Sequence, residues 1–393
     1  MVPPPTELVS SLAPEESASR TSRATADWRL VAEDAPSELR CRDIAAFMLR
    51  MTESPNFRAK EKDRIISWKL RENEAHPGFA STMVTQGDRI VSLCTVTPKR
   101  LWYRGSEQPW AEIGDTFTDP EFQRCGMFVA VTDASRSRAQ AAGFSIVYGL
   151  PNEASLPPYT KKLNFAIKAD IELQEHILLL SSRGLTKQLA TRGYRRSAAA
   201  SGHLTSAILS RMAVGVALTS FDRSDATVRE ERIFTAEYDD LWSRVRSELI
   251  CAQVRDARYL EWRYRANPFP FKLLAARRAG QLVGYAVVLA APAQDDSSMR
   301  RMYLMDWLFA PGNSEQVGSA LFKAVVETCV NEGADLLVGY SPLRSPLPLP
   351  WPRFLTVQRQ FGKPLIIHRN GVAEGLISDK GGWHFTLSDT DAF

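Results

Sequence analysis

The sequence predicts a mixed α/β protein built as two similar lobes, and three observations carry the prediction. Arg64, Trp68, Arg71 and Asn73 recur as Arg258, Trp262, Arg265 and Asn267, all displaced by 194 positions. Each copy is followed by the same succession of patterns: a hairpin, a strand, a helix and a strand. The composition, 44% hydrophobic and 24% charged over 393 residues, is that of a folded chain long enough for roughly two or three domain cores.

In the first half, residues 80–85 and 89–97 flank a turn at Gln86-Gly87-Asp88; in the second, residues 272–276 and 281–289 flank Ala279-Gly280. Next come a strand over 111–118, Pro120, a helix stopped by Gly143 and a strand over 145–149. The later copy reads 302–309, Pro311, a helix striped by Val317, Leu321, Ala324 and Val325, a stop at Gly333 and a strand over 335–340. A strand, crossover helix and strand imply a parallel pair inside an otherwise antiparallel sheet flanked by helices. The expected divisions are a disordered tail over 1–25, a first lobe over 26–180, a basic linker over 181–228 and a second lobe over 229–393.

A net charge of +4, from 49 basic and 45 acidic residues, is too small to mark nucleic acid as the partner. Arg183, Lys187, Arg192, Arg195, Arg196 and Arg211 gather in the linker, where solvation explains them better than an anion-binding surface. Five scattered cysteines without a CxxC pair, away from the histidines, give no zinc, haem or disulfide framework. The longest apolar run, residues 282–291, is shorter than a membrane span, and the first 25 residues lack a signal-peptide pattern, so the expected location is cytoplasmic without membrane insertion.

The chemistry concentrates at residues 110–128. A strand passes into a short loop carrying Arg124 and Gly126, which opens a helix whose unpaired N–H groups suit a phosphate. An ordinary strand-to-helix turn would read the same until residues 149–165 are added. With them the first half, over most of 25–180, resembles the GCN5-related N-acetyltransferase superfamily. Its pyrophosphate pattern (Q/R)-x-x-G-x-(G/A) is met by Gln123 and Gly126, with Phe128 at the last position. Its later Asn, small residue three on and Tyr seven on are matched by Asn152, Ser155 and Tyr159. Leu163-Asn164-Phe165 resembles the usual Leu-Gly-Phe ending, with Asn in place of Gly and one residue inserted after the Tyr.

The resemblance implies two tandem lobes of that fold and acetyl-CoA as co-substrate, wrapped around a splayed sheet. Phe117 and Thr118 would lead into the pyrophosphate loop, which Gln123 borders. The backbone amides of Arg124, Gly126, Met127 and Phe128, with Cys125 between them, would take the phosphates. Asn152 and Ser155 would hold the pantetheine arm, and Tyr159 would protonate the departing thiolate. Glu112, eleven residues before Gln123, is the leading base, with Asp115 and then Asp119 behind it. Period-two alternation sets Glu112 and Asp115 on opposite faces, which excludes a carboxylate pair. Cys125 has no histidine nearby in sequence and is expected to be a small buried packing residue, so direct transfer in a ternary complex is favoured over an acyl-enzyme.

The second lobe keeps the pattern without the signatures. At its equivalent loop, Pro311-Gly312-Asn313-Ser314-Glu315-Gln316 sets an acid beside any phosphate, and residues 341–352 are Pro-rich without the Asn and Tyr. It reads as a degenerate lobe closing over the first, with Trp262, Tyr264 and Arg265 as packing and surface residues. The leading function is an acetyl-CoA-dependent N-acetyltransferase with a small amine or amino-sugar acceptor. A FemABX-like aminoacyl-tRNA-dependent transferase shares the two-lobe plan, and a non-catalytic CoA-binding or scaffold protein is the third reading.

Overall fold

The computed structural model describes residues 28–51, 59–85, 87–168, 171–181, 212, 214–215, 225–290, 299–310, 314–352, 356–370, 373–380 and 382–391. The tail over 1–25, most of the linker over 181–228 and the Pro311-Gly312-Asn313 loop lie outside the described residues.

The first half contains β1 (Arg29–Asp34), α1 (Glu38–Met51), α2 (Ala59–Leu70), β2 (Phe79–Val84), β3 (Ile90–Tyr103), β4 (Ser106–Thr118), α3 (Met127–Ala141), β5 (Ile146–Gly149), α4 (Leu156–Lys162), β6 (Phe165–Ile167) and β7 (Leu173–Leu179). The second contains β8 (Thr227–Glu231), α5 (Ala236–Arg246), β9 (Cys251–Gln253), α6 (Ala257–Leu260) running into a π turn (Glu261–Arg265), β10 (Phe271–Arg278), β11 (Gln281–Ala290) and β12 (Arg301–Phe309). It ends with α7 (Ser314–Asn331), β13 (Leu336–Pro342), β14 (Thr356–Gln360), β15 (Ile366–His368), α8 (Glu374–Ser378) and β16 (Trp383–His384).

One sheet runs β1-β2-β3-β4-β5-β15-β6, with β9 pairing both β3 and β16; the other runs β14-β7-β13-β12-β11-β10-β8. Along each main path one pair is parallel, β4 with β5 and β12 with β13, and the rest are antiparallel. This is the mixed architecture that the strand-helix-strand pattern implies. Sheet membership cuts across the 26–180 and 229–393 division, because the halves trade strands. β7 enters the second sheet between β13 and β14, and β15 enters the first between β5 and β6. Apolar alternation marks a segment as a strand but does not say which edge it joins.

The internal repeat forms the seam between the lobes. Trp68 and Trp262 stack with ring centroids 4.7 Å apart and planes 15° from parallel. Each indole N–H donates to the other's carbonyl, at 2.8 Å and 3.4 Å. Asn73 and Asn267 each accept from the backbone N–H two residues on, closing matching Asx turns. Trp262 and Tyr264 are buried, as packing residues should be, and exposed Arg265 pairs with Glu261 one turn back.

Each parallel pair is short, and its strands then diverge. β4 and β5 pair only from Trp110 opposite Ile146 to Glu112 opposite Tyr148. At the apex a Cβ on Gly149 would lie 2.9 Å from Ile113 Cγ2 and 3.1 Å from its carbonyl oxygen, so the close approach requires glycine there. In the second lobe, β12 and β13 pair from Arg301 to Leu304, and the Pro-rich run fills the gap beyond. Trp351 lies where a Cβ on Gly339 would come within 2.7 Å of its ring, and Trp307 on β12 donates its indole N–H to the Leu347 carbonyl at 2.8 Å. Leu347, Leu349 and Trp351 are buried, so the second splay is packed with its own chain.

His384 makes one element of this packing sensitive to pH. Fully buried, it meets the Trp307 carbonyl through Nε2 at 2.8 Å. Burial, reinforced by the positive charge of Arg255, pushes its pKa down from 6.5 to about 3. A depressed imidazole contributes stability present above its unfolded pKa and lost as pH falls from about 6.5 toward the folded value. Unfolding free energy from urea titrations is expected to drop by about 1–2 kcal/mol more between pH 7 and pH 5 in the wild type than in His384→Gln. Equal pH slopes would refute that linkage.

Candidate functional site

Where β4 leaves the sheet, Asp119 accepts from Glu121 N at 3.1 Å and so caps a single 3₁₀ turn over Pro120–Phe122. Arg89 fixes the same carboxylate at 2.7 Å. The chain then passes through Gln123 to Arg124 at φ +67° and Gly126 at φ +80°, and α3 begins at Met127. No described group accepts from the N–H groups of Arg124, Cys125, Gly126, Met127 or Phe128. Residues 123–126 are exposed, and the space before Gly126 is open, with nothing within 4 Å of where a Cβ would stand. Free donors at the positive end of a 15-residue helix form an anion cradle. Gln123 borders it by donating to the Thr118 carbonyl at 3.4 Å, while Ser92 fixes the strand by bonding both Phe117 O and Thr118 Oγ1. Cys125 is exposed, not the buried packing residue expected, because the left-handed residues on either side carry it out on the loop.

A β-bulge shapes the strand just before this loop. The β3–β4 register slips between Leu93 opposite Phe117 and Thr95 opposite Gly114, and Asp115 stands at φ +45°. The bulge corrects the opposite-face reading of Glu112 and Asp115, since alternation fails across the extra residue. Asp115 Oδ2 accepts from Lys69 at 2.7 Å and from Thr95 Oγ1 at 3.1 Å. Glu112 Oε2 accepts from Lys99 at 2.6 Å and from Asp391 N at 2.8 Å, and Oε1 accepts from Thr390 Oγ1 at 2.7 Å. Lys69 and Lys99 both approach the Asp391 carboxylate, at 3.5 Å and 3.3 Å, with Arg263 at 3.7 Å. The two acids share no bond, yet they belong to one ion cluster. Burial raises the Glu112 pKa above the ordinary carboxylate value against the pull of Lys99, and only 4% of the residue is exposed.

On the far side of the splay, Tyr159 from α4 and Thr116 from β4 share a hydrogen bond of 3.1 Å between their oxygens. Burial pushes the Tyr159 hydroxyl far up, which keeps it protonated at working pH. Phe128 and Phe165 meet its ring edge-on, at 5.4 Å and 5.1 Å. Phe128, at the last place of the Gln123-to-Phe128 pattern, is therefore a packing partner of the tyrosine. Asn164 stands at φ +56°, a left-handed conformation that Asn tolerates, which accounts for its place in the Leu-Asn-Phe ending. Asn152 Oδ1 accepts from the Ser155 N–H and hydroxyl, both at 2.9 Å, so Ser155 bonds Asn152 while the Asn152 amide Nδ2 has no described partner.

Sequence reasoning missed Lys69, Lys99, Arg263, Asp391 and Thr116. A signal for two of them existed: Lys69 and Arg263 follow the repeated tryptophans at the same displacement of 194. Thr116 and Asp391 carried none. Among the described residues no helix is long and apolar enough to cross a membrane.

No family model matches the sequence, and no curated protein is similar to it. Solved structures do match. A GCN5-related N-acetyltransferase from Anabaena variabilis superposes with a TM-score of 0.55 at 11% identity, covering 86% of this chain and 72% of that one. A probable N-acyltransferase from Enterococcus faecalis gives 0.53 at 12%, covering 86% and 72%. The Saccharomyces cerevisiae N-myristoyltransferase with bound myristoyl-CoA gives 0.57 at 11%, covering 93% and 83%. At such identities the likeness is one of fold. The chain has the GCN5-related N-acetyltransferase fold, as two mixed sheets flanked by helices in a tandem arrangement like that of the myristoyltransferase.

Proposed function

We propose that this protein is an acyl-CoA-dependent N-acyltransferase whose donor is acetyl-CoA and whose acceptor, a small amine or amino sugar, attacks the thioester directly in a ternary complex. The observation that carries the reading is the continuity of the first splay with the anion cradle: β4 parts from β5 after Glu112 and runs straight into the unbonded N–H groups of residues 124–128. In this reading residues 26–180 supply the donor site. The second lobe, whose own splay Trp351 fills, closes over it.

The residues divide the work as follows. The cradle takes the pyrophosphate, Phe117 and Thr118 guide the chain of the donor toward the splay, and Asn152 Nδ2 donates to the pantetheine amide. Tyr159, kept neutral by burial, gives its proton to the departing thiolate. Asp115 takes the proton of the attacking amine, since its Oδ1 has no described partner, whereas both Glu112 oxygens are occupied. Glu112 acts as a positioning residue that holds Lys99 and the segment around Asp391. Cys125, exposed at the cradle, needs no covalent role.

Tyr159→Phe is expected to lower kcat by about 100-fold through loss of the acid. Acetyl-CoA affinity from isothermal titration should change less than about threefold, and stability should fall by about 1 kcal/mol for the lost bond to Thr116. Unaltered turnover would remove Tyr159 from the mechanism. Titration with acetyl-CoA and with desulfo-CoA tests the donor itself: no binding by the folded wild type would turn the reading toward a tRNA-dependent transferase or a scaffold.

A further inference from the structure

A cavity of about 610 Å³ lies between the lobes, with Asn152 and Glu153 of the loop after β5 on one side and Glu175, Tyr340, Arg359 and Lys363 among its other lining residues. Its size is that of a small-ligand site. Asn152 belongs to both this wall and the proposed pantetheine contact, so the cavity opens beside the donor.

The charges in it are arranged unequally. Glu175 on β7 is mostly buried and already satisfied: Tyr340 donates to Oε1 at 2.5 Å, and Arg359 Nε donates to Oε2. Burial opposes ionisation of Glu175, but the bonds from Arg359 and Tyr340 outweigh it and hold the carboxyl below its ordinary range. The acid is thus spent on orienting Arg359 by one edge of the guanidinium. The terminal nitrogens Nη1 and Nη2 have no described partner, and the side chain is 66% exposed. Lys363 is likewise unpaired with any described carboxylate, its Nζ lying 5.8 Å over the Phe361 ring. Two cations, one of them held as an oriented fork, therefore stand open at the C-lobe wall. A guanidinium fork fixed this way matches a carboxylate or phosphate in two-point contact. On the opposite wall, exposed Glu153 suits an ammonium.

We infer that this cavity is the acceptor site and that it selects amines that also carry an anionic group, a carboxylate or a phosphate, bound by Arg359 and Lys363 while the amine faces Asn152 and the donor. Glu175 is the positioning residue for Arg359. The inference rests on the acyltransferase reading for the reaction, but not for the binding of the anion.

The test uses matched probes: L-lysine against cadaverine, and glucosamine 6-phosphate against glucosamine. Each is titrated calorimetrically into the full chain with and without desulfo-CoA, and assayed for transfer from acetyl-CoA. One member bearing an anionic group, the carboxylate or the phosphate, should bind and react at least about tenfold better than the partner that lacks it. That preference should shrink below about threefold in Arg359→Gln and in Lys363→Gln, each checked for folding by its urea midpoint, with acetyl-CoA affinity unchanged. Glu175→Gln should lose part of the preference through Arg359 alone. Equal binding within both pairs, no binding of either anionic probe in the millimolar range, or a preference that survives both substitutions overturns the inference. So does a loss of acetyl-CoA affinity in the variants that dephospho-CoA does not show, because the cations would then serve the donor's ribose phosphate. A wild type that keeps the anion preference but binds no acetyl-CoA would leave the cavity assigned and sink the donor reading instead.

Discussion

Gly126→Glu is expected to abolish acetyl-CoA binding while leaving the protein folded. The cradle offers five consecutive N–H groups without described acceptors, at the end of α3 where the helix dipole favours negative charge. A glutamate at its centre brings a carboxylate that competes for those donors and repels the pyrophosphate. It also forces a side chain onto φ +80°, which costs an L-residue about 1–2 kcal/mol. The space before Gly126 is empty, so no neighbouring atom is struck and the damage falls on the site. Gly126→Ala separates the two effects. It carries the strain without the charge and should weaken binding by no more than about tenfold. Isothermal titration of both variants with acetyl-CoA, beside urea midpoints that report folding, reads the result. Retained affinity in a folded Gly126→Glu protein would remove the cradle from the donor site.

How far the sequence revealed this arrangement depends on whether the controlling contact was local. The strand-to-loop-to-helix passage through Gln123 and Gly126 was legible because that geometry is set by neighbours in the chain, whereas Asn152 and Tyr159 were singled out only by their spacing in a family pattern. The repeat was legible too, and its meaning, two tryptophans stacked across a seam, follows once Trp68 meets Trp262. The exchange of β7 and β15 between sheets was not, since their patterns say only that each is a strand. Asp115 was misjudged by the period-two rule because a single bulged residue breaks that rule. Glu112 was read as the leading base on the central strand, and the structure buries it with both oxygens bonded. Its partners Lys99, Thr390 and Asp391 are separated from it by 13, 278 and 279 positions, beyond any spacing argument.

Asp391→Ala is expected to destabilise the protein by about 3–5 kcal/mol, because it removes a buried carboxylate and strands its counter-charges. Lys69 from α2, Lys99 from β3 and Arg263 from the π turn surround that carboxylate, with side-chain exposures of 4%, 0% and 4%. Burial alone would raise its pKa; the three cations, Lys99 foremost, pull it well below the ordinary carboxylate range instead. A depressed carboxyl contributes stability present above its unfolded pKa of about 3.9 and lost as pH falls toward the folded value. The gap between wild type and Asp391→Ala should therefore be full at pH 7 and should close as urea titrations move below about pH 4. Pairing Asp391→Ala with Lys99→Met should cost less than the sum of the single changes, since each single change leaves a charge buried without its partner. A loss under about 1 kcal/mol at pH 7, or strict additivity, would show that the cluster is not coupled. In the proposed mechanism the same cluster touches the base: Thr390 and Asp391 N hold Glu112, and Lys69 bridges Asp391 to Asp115. Asp391→Ala should accordingly reduce kcat at temperatures where the variant is still folded, whereas acetyl-CoA affinity, set at the cradle beyond the C-terminal end of β4 where none of the cluster's described bonds reaches, should be kept.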